Sequence, residues 1–328
     1  MMKQTTDFAF KAILNTALLA LVLTSHAQNL PGFDSKTTKF NYAYSYDGFN
    51  QDRDDVAASG MTLAIFDKLG LADRIVHFHF NTNFGGKPTH AEEHRKSALQ
   101  TAVLFGIIKD ENGDDAFFDV SRSEKERTEA IDHLAAQIKK ANKKEPLMIF
   151  AAGGVQLPYL ALQKAIDNGT SKKALQSVVF VSHARANEQT RRKDHPDYKN
   201  NWDDLKQLSP HVQFVDYTSP LVNGRRDGGV NLSQNSTAWN QGPRGDKGKG
   251  VEDWEWLRDY GETVKGFGFE GTKGEWLLTR LKAAGAPELG HNANAEGDAS
   301  DAGMVFTQLP GGITDATMEE IKLFFMDK

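Results

Sequence analysis

Short apolar runs alternate with amphipathic stretches along most of this chain, and that alternation constrains its fold more than any other feature. Strands are predicted at Phe40 to Tyr46, Ile75 to Phe80, Leu147 to Ala151, Ser177 to Val181 and Val212 to Asp216. Helices are predicted between them, at about Asp55 to Leu69, Ala91 to Phe105, Ser123 to Ala141 and Leu157 to Asn168. In the Ser123 helix, Ile131, Leu134, Ala135 and Ile138 follow three-and-four spacing, with Lys125, Arg127, Lys139 and Lys140 on the other side, so the apolar face reads as packing. Strands that alternate with helices make βαβ units, and these build a mostly parallel, doubly wound α/β sheet with helices on both faces. Ligands then bind beyond the carboxyl ends of the strands, so the strand-to-helix turns are where chemistry is expected.

Charge and composition narrow the functional classes. The 328 residues carry 39 Lys and Arg against 44 Asp and Glu, without the clustered basic excess that neutralising phosphates requires, which argues against a nucleic-acid scaffold. Lys3 and Lys11 precede the apolar run Ala17 to Leu23, and Ser25-His26-Ala27 follow, in the order of an export signal cleaved after Ala27. The run is shorter than the roughly 20 residues of a membrane helix. The expectation is a signal peptide at 1–27 and one exported domain at 28–328, periplasmic or secreted, with no membrane attachment after cleavage. There is no cysteine, which excludes disulfides, zinc-thiolate sites and a thiol nucleophile. From about 219 to 273 the alternation gives way to Gly, Asn, Arg and Trp, read as an excursion beside the sheet anchored by Trp254 and Trp256.

The segment after the first predicted strand, Asp47 to Asp55, holds four carboxylates and two amides in nine residues. Crowded carboxylates repel one another unless a cation compensates, and hard oxygen donors suit Ca²⁺ or Mg²⁺. A solvated acidic loop that caps a helix accounts for the same residues. Gly153-Gly154-Val155-Gln156-Leu157 is a second strand-to-helix turn. Asp298-Ala299-Ser300-Asp301 places acids ahead of another predicted helix, and Asn81 and Asn83 follow the second strand.

Taken together, these segments resemble the nucleoside hydrolase-like superfamily, whose hallmarks are an aspartate cluster after the first strand, a glycine turn after a middle strand and an aspartate near the C-terminus. Asp54 and Asp55 resemble the end of the cluster, Gly153 to Leu157 the turn, and Asp301 the distal aspartate. The resemblance implies a Rossmann-like α/β domain and a Ca²⁺-dependent hydrolase of an N- or O-glycosidic bond, acting on a nucleoside or saccharide. It implies Asp47, Asp55, Asp301 and the Gln156 carbonyl as metal ligands, with Asn50 as the alternative to Asp47. Asp47, or failing that Asp54, is implied as the base that takes a proton from the attacking water. Asn50, Asn81, Asn83, His183 and Asn187 are implied to grip substrate. The chain departs from the family pattern at Asn50, where the family carries aspartate, and at Ser300, where nucleobase-cleaving members often carry histidine. A saccharide substrate also fits the indoles of Trp239, Trp254 and Trp256, since indole faces stack on sugar rings.

Other readings stay open. The same fold with its base lost, as Asn50 suggests, gives a non-catalytic sugar- or nucleoside-binding protein, and a homo-oligomer is compatible with either. His90-Ala91-Glu92-Glu93-His94 fits the H-x-x-E-H pattern of zinc peptidases, and equally the acidic first turn of a solvated helix. Asp110 to Asp115 imitates half of an EF-hand loop, with Asp115 where glycine belongs. His77 and His79 share one face of a strand, read as a pair covered by a helix.

Overall fold

The computed structural model describes residues 30–33, 38–46, 54–81, 91–111, 116–183, 199–217, 238–239, 249–285, 296–310, 312–313 and 316–327. Its centre is a six-stranded parallel sheet of β1 (Asn41–Ser45), β2 (Ile75–Phe80), β3 (Phe117–Asp119), β4 (Leu147–Ala151), β5 (Val178–Ser182) and β6 (Gln213–Asp216), in the order β3-β2-β1-β4-β5-β6. From β1 the chain winds outward through β2 to β3, then crosses back to β4 and winds the other way. The order therefore reverses between β1 and β4, and the crevice at their carboxyl ends is the place where such sheets bind ligands.

The predicted strands all form, with ends shifted by at most one residue. β3 was not anticipated, because three residues are too short for a period to register. Helices cover both faces, those that follow β1 and β2 on one side and those that follow β3, β4 and β5 on the other. On one lie α1 (Asp54–Lys68), α2 (Ala91–Arg95) and α3 (Thr101–Leu104); on the other lie α4 (Glu124–Lys140), α5 (Gln156–Asp167), α6 (Lys172–Leu175) and α7 (Trp202–Leu208).

The first face is the thicker. Every residue of α1 from Asp54 to Phe66 is buried, which a helix hydrophobic all round requires. Its cover comes from α8 (Lys273–Ala283) and α9 (Ser300–Gln308), which pack on α1, and α10 (Met318–Met326) closes the same core. The predicted helix at Ala91 to Phe105 carries a π turn at Lys96–Gln100 between α2 and α3. Its two halves are tied separately to α8, Arg280 donating to Glu93 at 3.0 Å and the Trp276 indole to Thr101 at 2.7 Å.

The described part of the 219–273 excursion is regular. A 3₁₀ helix at Gly250–Asp259 leads into an antiparallel hairpin, β7 (Thr263–Gly266) and β8 (Phe269–Thr272). Trp254 anchors it as expected, its indole donating to the Gly297 carbonyl at 2.9 Å. The close packing of α8 on this helix requires glycine at 274, where a Cβ would lie 1.6 Å from the Leu257 carbonyl oxygen. Residues 1–27, the expected leader, lie outside the described residues. No helix among the described residues is long and apolar enough to cross a membrane.

Candidate functional site

Three helix N-termini meet the carboxyl edge of the sheet near the reversal point. α1 follows β1, α5 follows β4 through the Gly153-Gly154 turn, and α9 reaches the edge from the far end of the chain. Asp54 and Asp55 occupy the first turn of α1, and Asp301 the first turn of α9. Carboxylates are stabilised there by the positive end of the helix dipole, which is why aspartate at those positions agrees with the local fold. Asp54, Asp55, Asp298, Ser300, Asp301 and His183 are all buried.

Contacts between these residues span most of the chain. The Ser300 hydroxyl donates to Asp54 Oδ2 at 3.0 Å, and the Ser300 backbone N–H donates to Asp298 Oδ1 at 3.1 Å. His183, directly after β5, places Nε2 2.7 Å from Asp301 Oδ1. At its other end α9 is held by Tyr217, just past β6, whose hydroxyl donates to Gln308. α9 is thus tied at both ends to the edge of the sheet.

The electrostatics follow from four carboxylates in a buried place with one imidazole close by. Burial pushes the Asp298 carboxyl well above its ordinary value, and the charge of Asp54 adds to that. Burial likewise raises the Tyr44 hydroxyl, with Asp301 and then Asp55 pushing the same way. Tyr44 points from β1 toward α1, and both Asp55 and Asp301 lie close enough to act on its hydroxyl, just as Ser300 reaches Asp54 across 246 positions. Negative charge is therefore in excess here, and the oxygen donors present are of the type that holds Ca²⁺. No group of three or more His, Asp or Glu side chains among the described residues is arranged to hold a metal by itself.

The remaining predicted positions divide as follows. Gln156 is buried as the first residue of α5, and its side-chain oxygen accepts from the Asn200 backbone N–H at 2.8 Å. Asn81 ends β2 with φ of 58°, in the left-handed region that asparagine enters more readily than most residues. Its amide donates to Asp119 Oδ1 at 3.0 Å, and Asp119 also meets Arg95 at 3.0 Å and the Ser121 hydroxyl at 2.7 Å. Asn81 thus belongs to a polar group with Asp119, Arg95 and Ser121 at the end of β2 and β3. Asp47, Asn50, Asn83 and Asn187 lie outside the described residues, as do His90 of the H-x-x-E-H pattern and most of the EF-hand-like turn. His94 is buried, its ring 5.9 Å from that of Tyr46.

One expectation is corrected. Trp239 and Trp254 form no sugar-stacking platform: both are fully buried, their rings 5.6 Å apart, with Trp239 against Phe306 of α9. Their indoles serve the core that backs α9. Sequence reasoning also missed Asp298, Tyr44 and Asp119 as members of these clusters. Asp298 lay in the quoted acidic segment, but nothing in the sequence tells which acid of Asp298 and Asp301 turns toward which neighbour.

No protein-family model matches this chain, and no curated protein or solved structure does so either. What can be stated of its kinship is the architecture: an α/β chain with a six-stranded parallel sheet flanked by helices, of the Rossmann-like doubly wound kind.

Proposed function

We propose that the chain is an exported, Ca²⁺-dependent hydrolase of an N- or O-glycosidic bond, a divergent relative of the nucleoside hydrolase-like superfamily. The observation that carries this reading is the convergence of Asp54 and Asp55 with Asp298, Ser300 and Asp301 at the reversal point of the sheet. A buried excess of carboxylates costs several kcal/mol per uncompensated charge, so a cation completing the site is what the charge balance asks for. Asp55, Asp301 and the Gln156 carbonyl would hold it, with Asp47 or Asn50 supplying a further ligand. Calcium bound there would fix vicinal hydroxyls and acidify a water.

The chain's own residues then have distinct tasks. His183, in contact with Asp301, fixes which way that carboxylate faces. Ser300 donates to one oxygen of Asp54, which lowers the basicity of that carboxylate and favours Asp47 as the base. Asp298, whose carboxyl holds its proton above the usual range, limits the negative charge around Asp54. Burial excludes bulk water from the carboxylates, which strengthens every charge interaction among them.

The test is calorimetric titration of Ca²⁺ into the protein beside Asp55→Ala and Asp301→Ala. Binding by the wild type that both substitutions abolish is the expected result, and release of reducing sugar from nucleosides or oligosaccharides should then depend on Ca²⁺. A wild type that binds no Ca²⁺ would remove the hydrolase reading. Calcium and sugar binding without turnover would leave the non-catalytic alternative that Asn50 favours.

A further inference from the structure

On the opposite face of the sheet, three imidazoles stand in a row. His133 of α4 places Nδ1 3.0 Å from Nδ1 of His77, and His77 Nε2 lies 2.8 Å from His79 Nδ1. At the outer end, the side-chain nitrogen of Gln137 lies 3.1 Å from His133 Nε2. His77 and His79 are fully buried on β2, whereas His133 is partly exposed on the helix. The rings of His77 and His133 stack at 5.3 Å, and Phe118 of β3 covers His77 at 5.2 Å.

The Gln137 amide sets the polarity of the whole row. An amide nitrogen only donates, so His133 Nε2 accepts and its proton sits on Nδ1. That proton goes to His77 Nδ1, which places the His77 proton on Nε2. His77 Nε2 in turn donates to His79 Nδ1, which leaves the His79 proton on Nε2. Each step follows from a neutral imidazole having one donor and one acceptor nitrogen. The row therefore ends in a buried N–H at His79 Nε2, and that atom has no hydrogen-bond partner among the described residues. His79 is the last residue but one of β2, opposite Ser45 of β1 and Phe118 of β3, so the open N–H lies near the carboxyl edge.

A row built only for packing would not need polar rings, since Phe or Leu fills the same volume without buried polar atoms, and an unmet buried donor costs about 1–3 kcal/mol. We propose that Gln137, His133, His77 and His79 form a proton relay that joins solvent at His133 to an oxygen acceptor, a water or a ligand hydroxyl or carbonyl, at His79 Nε2.

The transfer balances without any other reactant. His79 gives its Nε2 proton to the acceptor oxygen and takes the Nε2 proton of His77 at Nδ1. His77 takes the Nδ1 proton of His133 at its own Nδ1, and His133 takes one from solvent at Nε2. One proton has moved from solvent to the acceptor, and all three rings have exchanged tautomer. The Gln137 amide accommodates the new state by turning its oxygen to the His133 Nε2–H. Passage in the opposite direction resets the row.

Burial acts most strongly on His77 and His79, holding both below the ordinary imidazole range, with His79 and His133 adding to the effect at His77. Both rings therefore rest neutral, as the polarity argument needs. Nearby carboxylates are engaged elsewhere: Glu129 with Lys125, Asp132 with Lys164 of α5, and Asp119 with Arg95 and Asn81.

The experiment is nitrogen NMR of the imidazoles in the uniformly labelled protein, and it needs no substrate. Expected are an Nδ1–H tautomer for His133 and Nε2–H tautomers for His77 and His79, with the His79 Nε2–H exchanging into deuterium through the row. In His133→Phe that exchange should slow by about tenfold or more while backbone protection is kept. Gln137→Met keeps all three rings and removes the polarising amide, so the His79 signal should divide between both tautomers. An Nδ1–H tautomer at His79 in the wild type, exchange unchanged by His133→Phe, or a single His79 tautomer in Gln137→Met would each overturn the relay.

Discussion

The two faces of the sheet each bury a polar cluster, and the clusters are built on opposite principles. Over the reversal point, Asp54, Asp55 and Asp301 bring net negative charge into the core beside Asp298, which holds its proton, and helix N-termini and His183 offset that charge. Behind β2, His77 and His79 rest neutral and join His133 in a row that leaves one buried N–H, at His79 Nε2, open. A neutral row lacks at most one hydrogen-bond acceptor, at a cost of about 1–3 kcal/mol. A cluster of carboxylates cannot be stable without protons or a cation, which is why one face suggests a ligand-dependent site and the other a conduit.

The largest break in this contrast should come from Asp301→Ala. Removing Asp301 takes away the 2.7 Å contact it makes with buried His183, so the stability measured by urea unfolding should fall by about 3–5 kcal/mol. A loss below about 1 kcal/mol would mean that water reaches the pair freely and that the cluster is less buried than its geometry implies.

Acid should sharpen the contrast. Burial lowers His79 from 6.5 to about 3, so the unfolded chain binds the proton more tightly than the folded one. The stability this ring contributes is present above pH 6.5 and is lost as pH falls toward about 3, at about 1.4 kcal/mol per pH unit for one such group. Urea midpoints from pH 7 to pH 5 should show this slope, and His79→Phe should reduce it, with His77 still contributing in the same sense. An unaltered slope would place the acid sensitivity elsewhere.

Asp298 should behave in the opposite sense, with the smallest effect of the three. Its folded value is raised above 3.8, so its contribution is fully present below that pH and is lost as pH rises through the raised value. Asp298→Asn keeps an acceptor for the Ser300 N–H without the charge, and should stabilise the calcium-free protein near neutral pH by about 1 kcal/mol. Under the proposed calcium reading the same substitution should leave Ca²⁺ affinity nearly intact, because Asp298 is not among the assigned ligands. Destabilisation by Asp298→Asn would show that its carboxylate is held ionised by a partner.

The strands were legible because Leu147 to Ala151 buries both faces and so reads as a continuous apolar run, while Ile75 to Phe80 alternates His77 and His79 with apolar residues. β3 and the β7–β8 hairpin were not, being short or half exposed with weak periodicity. Part of the site was legible for a similar local reason. Asp54, Asp55 and Asp301 stand at helix starts, where sequence and helix dipole agree. The histidine row was only half legible: His77 and His79 announce a shared face by their spacing of two, but His133 looks like any partly polar position of an amphipathic helix. Its turn toward the sheet depends on where α4 docks.

By itself, then, the sequence determined the local elements, the sheet class and the placing of acids at strand-to-helix turns, since these follow from periodicity, capping and chain connectivity within a few residues. Tertiary structure alone decided the strand order, the pairing of Ser300 with Asp54 and of His183 with Asp301, the burial of Trp239 and Trp254, and the joining of His133 to His77. Those contacts link residues from 56 to 246 positions apart. Which of them form is fixed by how helices dock on a sheet, a collective outcome of core packing that no single segment encodes.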